Sequence, residues 1–137
     1  PQTYMNLSGE AVQAVMNYYK IMPNEICIVT DDLDIDFGTV RVRKKGGAGT
    51  HNGMKSVIQK LGTQDFMRLR LGIGPKPDVM DSKDFVLQRF YNKEMTILPD
   101  MLIRIRDLLI AHRNDSVDIL MNRMNGIQFN DIQSVNQ

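Results

Sequence analysis

The chain has 137 residues, of which 42% are hydrophobic and 24% charged, a composition that suits one folded domain around one core. That balance excludes a disordered, collagen-like or disulfide-stapled chain, and no apolar run approaches the roughly 18 residues of a membrane-spanning helix. The formal net charge of +1 conceals an asymmetry: residues 1–40 sum to −5, residues 41–70 to +7 and residues 71–137 to −1. A cationic block beside glycines is the electrostatic footprint of a polyphosphate or nucleic-acid partner, although a solvated face gives the same pattern.

The first periodic segment runs from Ser8 to about Tyr19, where Ala11, Val12, Val15, Met16 and Tyr19 recur at helical spacing. Ser8 is the expected N-cap, Glu10 favours the positive end of the helix dipole, and Pro23 with Asn24 breaks the helix. Ile26 to Val29 reads as a short buried strand, because β-branched residues dominate it, and it is expected to end at Thr30, Asp31 and Asp32. Thr39 to Arg43 alternates, with Val40 and Val42 on one face and Arg41 and Arg43 on the other. The loop from Lys44 to Gly53 carries glycines at 46, 47, 49 and 53. Met54, Val57, Ile58 and Leu61 then mark an amphipathic helix closed by Gly62.

Met67, Leu69, Leu71 and Ile73 alternate with Arg68 and Arg70 in a further strand, left through the turn-forming Gly74-Pro75-Lys76-Pro77. A mixed stretch with Phe85, Val86 and Leu87 leads into a helix from about Lys93 to His112. Its expected buried stripe is Leu98, Leu102, Ile105 and Leu109, with Pro99 near its start. A last helix from about Ser116 to Met124 closes a domain of residues 1–125, and a polar tail, 126–137, is expected to fray. Strands separated by helices predict an α/β fold, a single-domain three-layer α/β/α sandwich with a mixed sheet.

Several chemical motifs fail on inspection. Asp32, Asp34 and Asp36 match the first ligands of a calcium loop, but Phe37 replaces its turn glycine and Arg43 its bidentate Glu. Asp36-Phe37-Gly38 spells a kinase motif without a catalytic loop before it. Gly46 to Gly53 matches neither the P-loop nor the dinucleotide fingerprint. His51 is a lone loop histidine with no metal partners near it, and His112 sits where a helix C-terminus favours it. Cys27, within a buried strand, reads as an inert core residue suited to a reducing compartment. No serine has the glycine flanks of a nucleophile elbow.

Three polar residues survive this sifting. Asp31 is expected just past a strand, where α/β sheets gather ligands; it reads equally as a base-positioning acid or a turn residue. Asn6 and Asn52 carry amides that donate and accept at once, so they could grip an ester carbonyl, a ribose hydroxyl or a water. For Asn6, just before a helix, capping is the alternative.

The stretches PQTYMNLSGEAV at 1–12, IVTDDLDIDFGTVRVR at 28–43, KGGAGTHNGMKSVIQKLGT at 45–63, RLRLGIG at 68–74 and DFVLQRF at 84–90 resemble bacterial peptidyl-tRNA hydrolase. The resemblance covers about residues 1–125. It implies hydrolysis of the ester between a nascent peptide and the tRNA 3′ ribose, with no metal and no organic cofactor. It implies that Asn6 and Asn52 bind the substrate ester and peptide end, with Tyr4 beside them. Asp31 matches the acid that orients and supports the family's general-base histidine. Arg41, Arg43, Lys44, Lys45 and Lys55 then become tRNA backbone contacts.

One departure matters. The family's base lies in a Thr-Arg-His-Asn stretch after its first strand, and this sequence contains no such stretch. His51 matches a different family position, beside the substrate-binding Asn. The expectation is an N-terminally truncated member, lacking the family's N-terminal strand and helix, inactive by itself and less stable or prone to association. The full-length protein is expected to be a cytoplasmic monomer acting on peptidyl-tRNA, with no membrane or DNA partner. The alternative is a non-catalytic RNA-binding relative; a nucleotide-binding α/β domain, on fold analogy alone, ranks last.

Overall fold

A computed structural model describes residues 7–49, 51–76, 80–81 and 98–128. In chain order the described elements are α1 (Ser8–Tyr19), β1 (Cys27–Asp36), β2 (Val40–Arg43), α2 (Asn52–Leu61), β3 (Met67–Gly74), α3 (Leu98–Ala111) and α4 (Val117–Met124), with a single 3-10 turn at Pro23–Glu25. The class is α/β, as the pattern of elements predicts. Two compact units divide the chain: Pro1–Thr30 with Arg43–Leu69, and Asp31–Val42 with Arg70–Gln137.

In the first unit α1 lies against α2 at a crossing made close by Gly9. A Cβ at Gly9 would overlap the backbone carbonyl of Ser56, and the Gly9 N–H donates to the Ser56 hydroxyl at 2.9 Å. This corrects the expected cap. Ser8 is the first helical residue, Leu7 precedes it, and no side chain of either caps the helix. A donor that helix geometry leaves unsatisfied is instead met by a partner 47 residues away.

The buried side of α1 is therefore narrow. Gly9 and Met16 are buried and Val12 half-buried, whereas Ala11, Val15 and Tyr19 of the expected stripe are exposed. The helix ends at Tyr19, as the periodicity predicts, with Lys20 in a left-handed conformation after it. Val12, Ile26, Ile28, Ala48, Ile58 and Leu61 pack around a buried cluster of Met54, Val57 and Phe66. Gly62, with φ of 70°, closes α2 in the left-handed conformation that glycine adopts without cost.

The strands form one sheet in the order β1-β3-β2. Although only three residues connect β1 to β2, β3 lies between them. Lys76 N–H donates to Leu33 O at 3.0 Å, Phe37 N–H to Gly74 O at 2.9 Å and Gly38 N–H to Gly72 O at 3.0 Å. Numbers rise along β1 as they fall along β3, so this pair is antiparallel. The Phe37–Thr39 turn then wraps around β3, returning a bond from Gly72 N–H to Thr39 O at 2.8 Å. Gly72 and Gly74 make that wrap possible: a Cβ on the first would overlap Asp36 O, and on the second Leu33 O.

β1 is a correction to the sequence reading. It runs ten residues, on through the acidic run to Asp36, and alternates between exposed and half-buried positions beyond Ile28. A run of polar residues ordinarily signals a strand's end, but a strand with one solvated face accommodates them at alternate positions.

In the second unit α3 buries Met101 and Ile105, while Leu102 of the expected stripe is 45% exposed. Leu98 and Leu109 are half-buried, so the true stripe rotates toward Met101. Residues 93–97 of the expected helix, and the Phe85 to Leu87 stretch, lie outside the described residues. α4 has Ser116 as its N-cap, accepting from Ile119 N–H at 3.3 Å. After α4, the Asn125 amide accepts from Val42 N–H at 2.6 Å and donates to Val42 O at 3.3 Å. One side chain thus pairs with the edge strand as another strand would. The tail's first residues are tied down too, by a bridge between Gln128 and Thr39.

Candidate functional site

Asn52 is the first residue of α2 and is exposed. Its position is set by the residue before it. His51 is the N-cap of α2, and its Nδ1 accepts the Met54 N–H at 3.0 Å. That bond requires a neutral ring with no proton on Nδ1, and it engages the lone pair that a proton-abstracting Nδ1 would need. Ser, Thr, Asp and Asn are the usual caps, so nothing in the sequence pattern pointed to His51 in this role.

Basic side chains surround Asn52 along the chain. Lys44 and Lys45 in the loop and Lys55 in the first turn of α2 are exposed, as is Arg43 at the end of β2. Asn52 and Lys55 stand three residues apart on one helix and so share a face. In the second unit Arg41 is exposed on β2, where the alternation predicted from sequence holds: Val40 and Val42 are buried and Arg41 and Arg43 exposed.

The rest of the cationic block behaves differently. Arg68 is 1% exposed. Its guanidinium donates to Gly47 O at 3.2 Å, to Gln64 O at 2.7 Å and to Phe66 O at 3.4 Å, and lies 4.4 Å over the Phe66 ring. Along β3, Arg68 alternates with the apolar Met67, Leu69, Leu71 and Ile73, which puts it on the opposite face from them. The strand is central in the sheet, and most of its positions on both faces are buried. Arg70, in the second unit, pairs with Asp32 at 3.5 Å, and Lys60 with Glu10 at 3.7 Å across an exposed gap. The sum of +7 therefore overstates the charge presented to a ligand.

Asp31 lies in the second unit and is exposed. It is the fifth residue of β1, inside the strand and not past its carboxyl end as expected. The neighbouring Asp32 accepts from Asp34 N–H at 2.8 Å besides pairing with Arg70, so it serves local structure. Among the described residues no group of three His, Cys, Asp or Glu stands together to hold a metal ion. Tyr4 and Asn6 lie outside the described residues.

Burial pushes the Cys27 thiol up to about 11, the opposite of an activated nucleophile. His112 follows the last residue of α3 and its Nδ1 meets Asp115 Oδ2 at 2.7 Å, a local contact at a helix end. No described helix is long and apolar enough to cross a membrane.

A family model described as peptidyl-tRNA hydrolase matches residues 1–132. A peptidyl-tRNA hydrolase of Chloroflexus aurantiacus is 51% identical over 126 residues, covering 91% of this chain and 67% of that protein. One from Staphylococcus aureus is 45% identical over 127 residues, with 92% and 67% covered. The crystal structure of peptidyl-tRNA hydrolase from Acinetobacter baumannii superposes with a TM-score of 0.78 at 30% identity, covering 93% of this chain and 65% of that one. The chain thus spans about two thirds of the length of these relatives. Sequence and fold agree: the chain belongs to the peptidyl-tRNA hydrolase family.

Proposed function

We propose that this chain binds peptidyl-tRNA and supplies the substrate-gripping part of a hydrolase that cleaves the ester between peptide and tRNA 3′ ribose. The observation that carries this reading is the presentation of Asn52. A histidine cap holds it exposed at the start of α2, with Lys44, Lys45 and Lys55 close by in sequence and equally exposed. An exposed amide on a rigid helix end can donate to the ester carbonyl and accept from a ribose hydroxyl. Asn6 and Tyr4 contribute to the same grip. The basic side chains, with Arg41 and Arg43, bind the tRNA backbone. No metal or organic cofactor takes part, and the protein acts as a monomer in the cytoplasm, where peptidyl-tRNA arises.

Activation of water for ester hydrolysis needs a base of near-neutral pKa. Asp31, with a reference value near 3.9, is a poor base alone and acts by orienting and supporting a histidine. His51 is unsuited to that task because its Nδ1 caps α2. Neither Asp31 nor His51 fills the role of base, so the 137-residue chain is expected to bind substrate without turning it over.

The test uses an N-acyl-aminoacyl-tRNA, following both binding and release of the acyl amino acid. The chain is expected to bind with a log–log salt slope of roughly −3 to −5, set by the number of phosphates neutralised. Asn52→Asp removes a donor and adds a negative charge, and should weaken binding about tenfold or more. Turnover should be undetectable with this chain. Salt-independent binding, or none, overturns the reading; hydrolysis at enzymatic rates overturns the assignment of the base. Unaltered binding by Asn52→Asp removes that residue from the grip. Binding without hydrolysis in the longest natural form of the protein supports a non-catalytic RNA-binding relative.

A further inference from the structure

We propose that Arg68 is a positioning residue: it pre-orders the glycine-rich loop that carries Lys44 and Lys45 and leads into Asn52. The inference rests on the loop facing RNA, as proposed above, and adds a residue that touches no substrate.

A Cβ at Gly46 or Gly49 would meet nothing within 4 Å, so neither position packs against the body of the unit. Ala48 reaches the Met54, Val57 and Phe66 cluster, and Gly46 N–H donates to Gln64 O at 3.4 Å. Arg68 supplies the charged connection. Its Nη1 holds Gly47 O at 3.2 Å while Nη2 holds Gln64 O at 2.7 Å, so one planar fork joins the loop to the turn before β3. The Gln64 carbonyl is the shared node, accepting from Gly46, Phe66 and Arg68.

A guanidinium stays charged when buried, and bringing it out of water is costly unless carbonyls and an aromatic face surround it. An apolar residue would fill a central strand position more simply. What the arginine adds is a two-ended tie of fixed geometry. Glycines leave a loop with many conformations, and a ligand that needs one of them must offset the ordering entropy on binding. Holding Gly47 beforehand removes part of that cost for an RNA backbone met by Lys44 and Lys45. Arg68 thus serves the ligand from inside the protein.

The experiment compares the 137-residue chain with Arg68→Lys and Arg68→Met. Thermal unfolding, amide hydrogen exchange over residues 44–49, and affinity for an acceptor-stem RNA duplex with a single-stranded 3′ end are measured. Lysine keeps the charge but cannot fork between two carbonyls. In a folded Arg68→Lys, loop exchange should quicken about tenfold while the α1 and α2 amides stay protected. RNA affinity should fall by about the same factor, since the disordered loop must then be ordered on binding.

If both variants fail to fold, the unmodified chain decides. Its Arg68 guanidinium protons should give separate, slowly exchanging NMR signals that hold their positions when the RNA is added, while Lys44 and Lys45 signals move. Unchanged loop exchange in a folded variant overturns the tie. Faster exchange with unchanged affinity overturns its role in binding, as does a shift of the Arg68 signals expected of direct phosphate contact. Absence of RNA binding by the unmodified chain overturns the proposed function and the positioning role together, while loop exchange still reports whether the tie exists.

Discussion

Gly46 and Gly49 in the loop before α2 have φ angles of 150° and 59°, and a Cβ at either would meet open space. Gly9, Gly72 and Gly74 differ in both respects. Their φ values lie outside the range that disfavours side chains, but a Cβ on any of them would overlap a neighbouring carbonyl oxygen. The first pair are glycine for the backbone's sake and the second group for the neighbour's sake. Sequence shows both as the same letter. The practical difference is large, because the first kind of substitution strains one residue and the second pushes two elements apart.

Gly72→Ala should show the greatest effect. The methyl group would drive β3 away from Asp36 O at the point where the Phe37–Thr39 turn wraps it, costing about 3 kcal/mol or more. A urea midpoint equal to that of the unmodified chain would break the comparison at its strongest point. Gly9→Ala is the sharper test because the expected sign reverses. In an isolated helix this change stabilises by about 1 kcal/mol. Here the methyl would meet Ser56 O at the α1–α2 crossing, and a net loss of about 2 kcal/mol is expected.

Chemical denaturation of Gly9→Ala beside an exposed helix control such as Asn17→Ala would show the two signs together, and stabilisation by both would sink the close-crossing account. Gly49→Ala should be the mildest, a loss of about 1 kcal/mol from the left-handed backbone alone, with no repacking. A destabilisation as large as that of Gly72→Ala would mean the loop is packed and not open.

The same contrast between local pattern and distant neighbour runs through the rest of the molecule. The bounds of α1 and α4 and the end of α2 were readable because apolar spacing and terminal residues such as Ser116 and Gly62 act within a few residues, whereas α2 begins at Asn52, inside the loop expected to run to Gly53. The identity of their buried faces was less so. Val15 and Leu102 fit the helical period yet are exposed, because which edge of an apolar stripe is covered depends on the element laid against it. β1 was cut short at Asp31 because acidic residues resemble turn signals, whereas a strand exposed at alternate positions accepts them. The exposure of Arg41, Arg43, Lys44, Lys45 and Lys55 was legible as a charged run beside glycines. The role of Arg68 was not, since alternation placed it opposite the apolar residues and only the strand's central place buries both faces.

By itself the sequence determined the α/β class, several of the helix ends, the exposed basic run and, through its motifs, the family. These depend on neighbours in the chain or on long shared stretches of residues. Tertiary structure alone decided that Ser56 satisfies the first turn of α1, that His51 caps α2 through its ring and that β3 separates two strands joined by a three-residue turn. It also decided that one cation of the basic block holds a loop from within. The reason is common to all four. A hydrogen-bond donor, a missing methyl or a buried charge is satisfied by whatever lies closest in space, and that partner is set by packing over the whole unit.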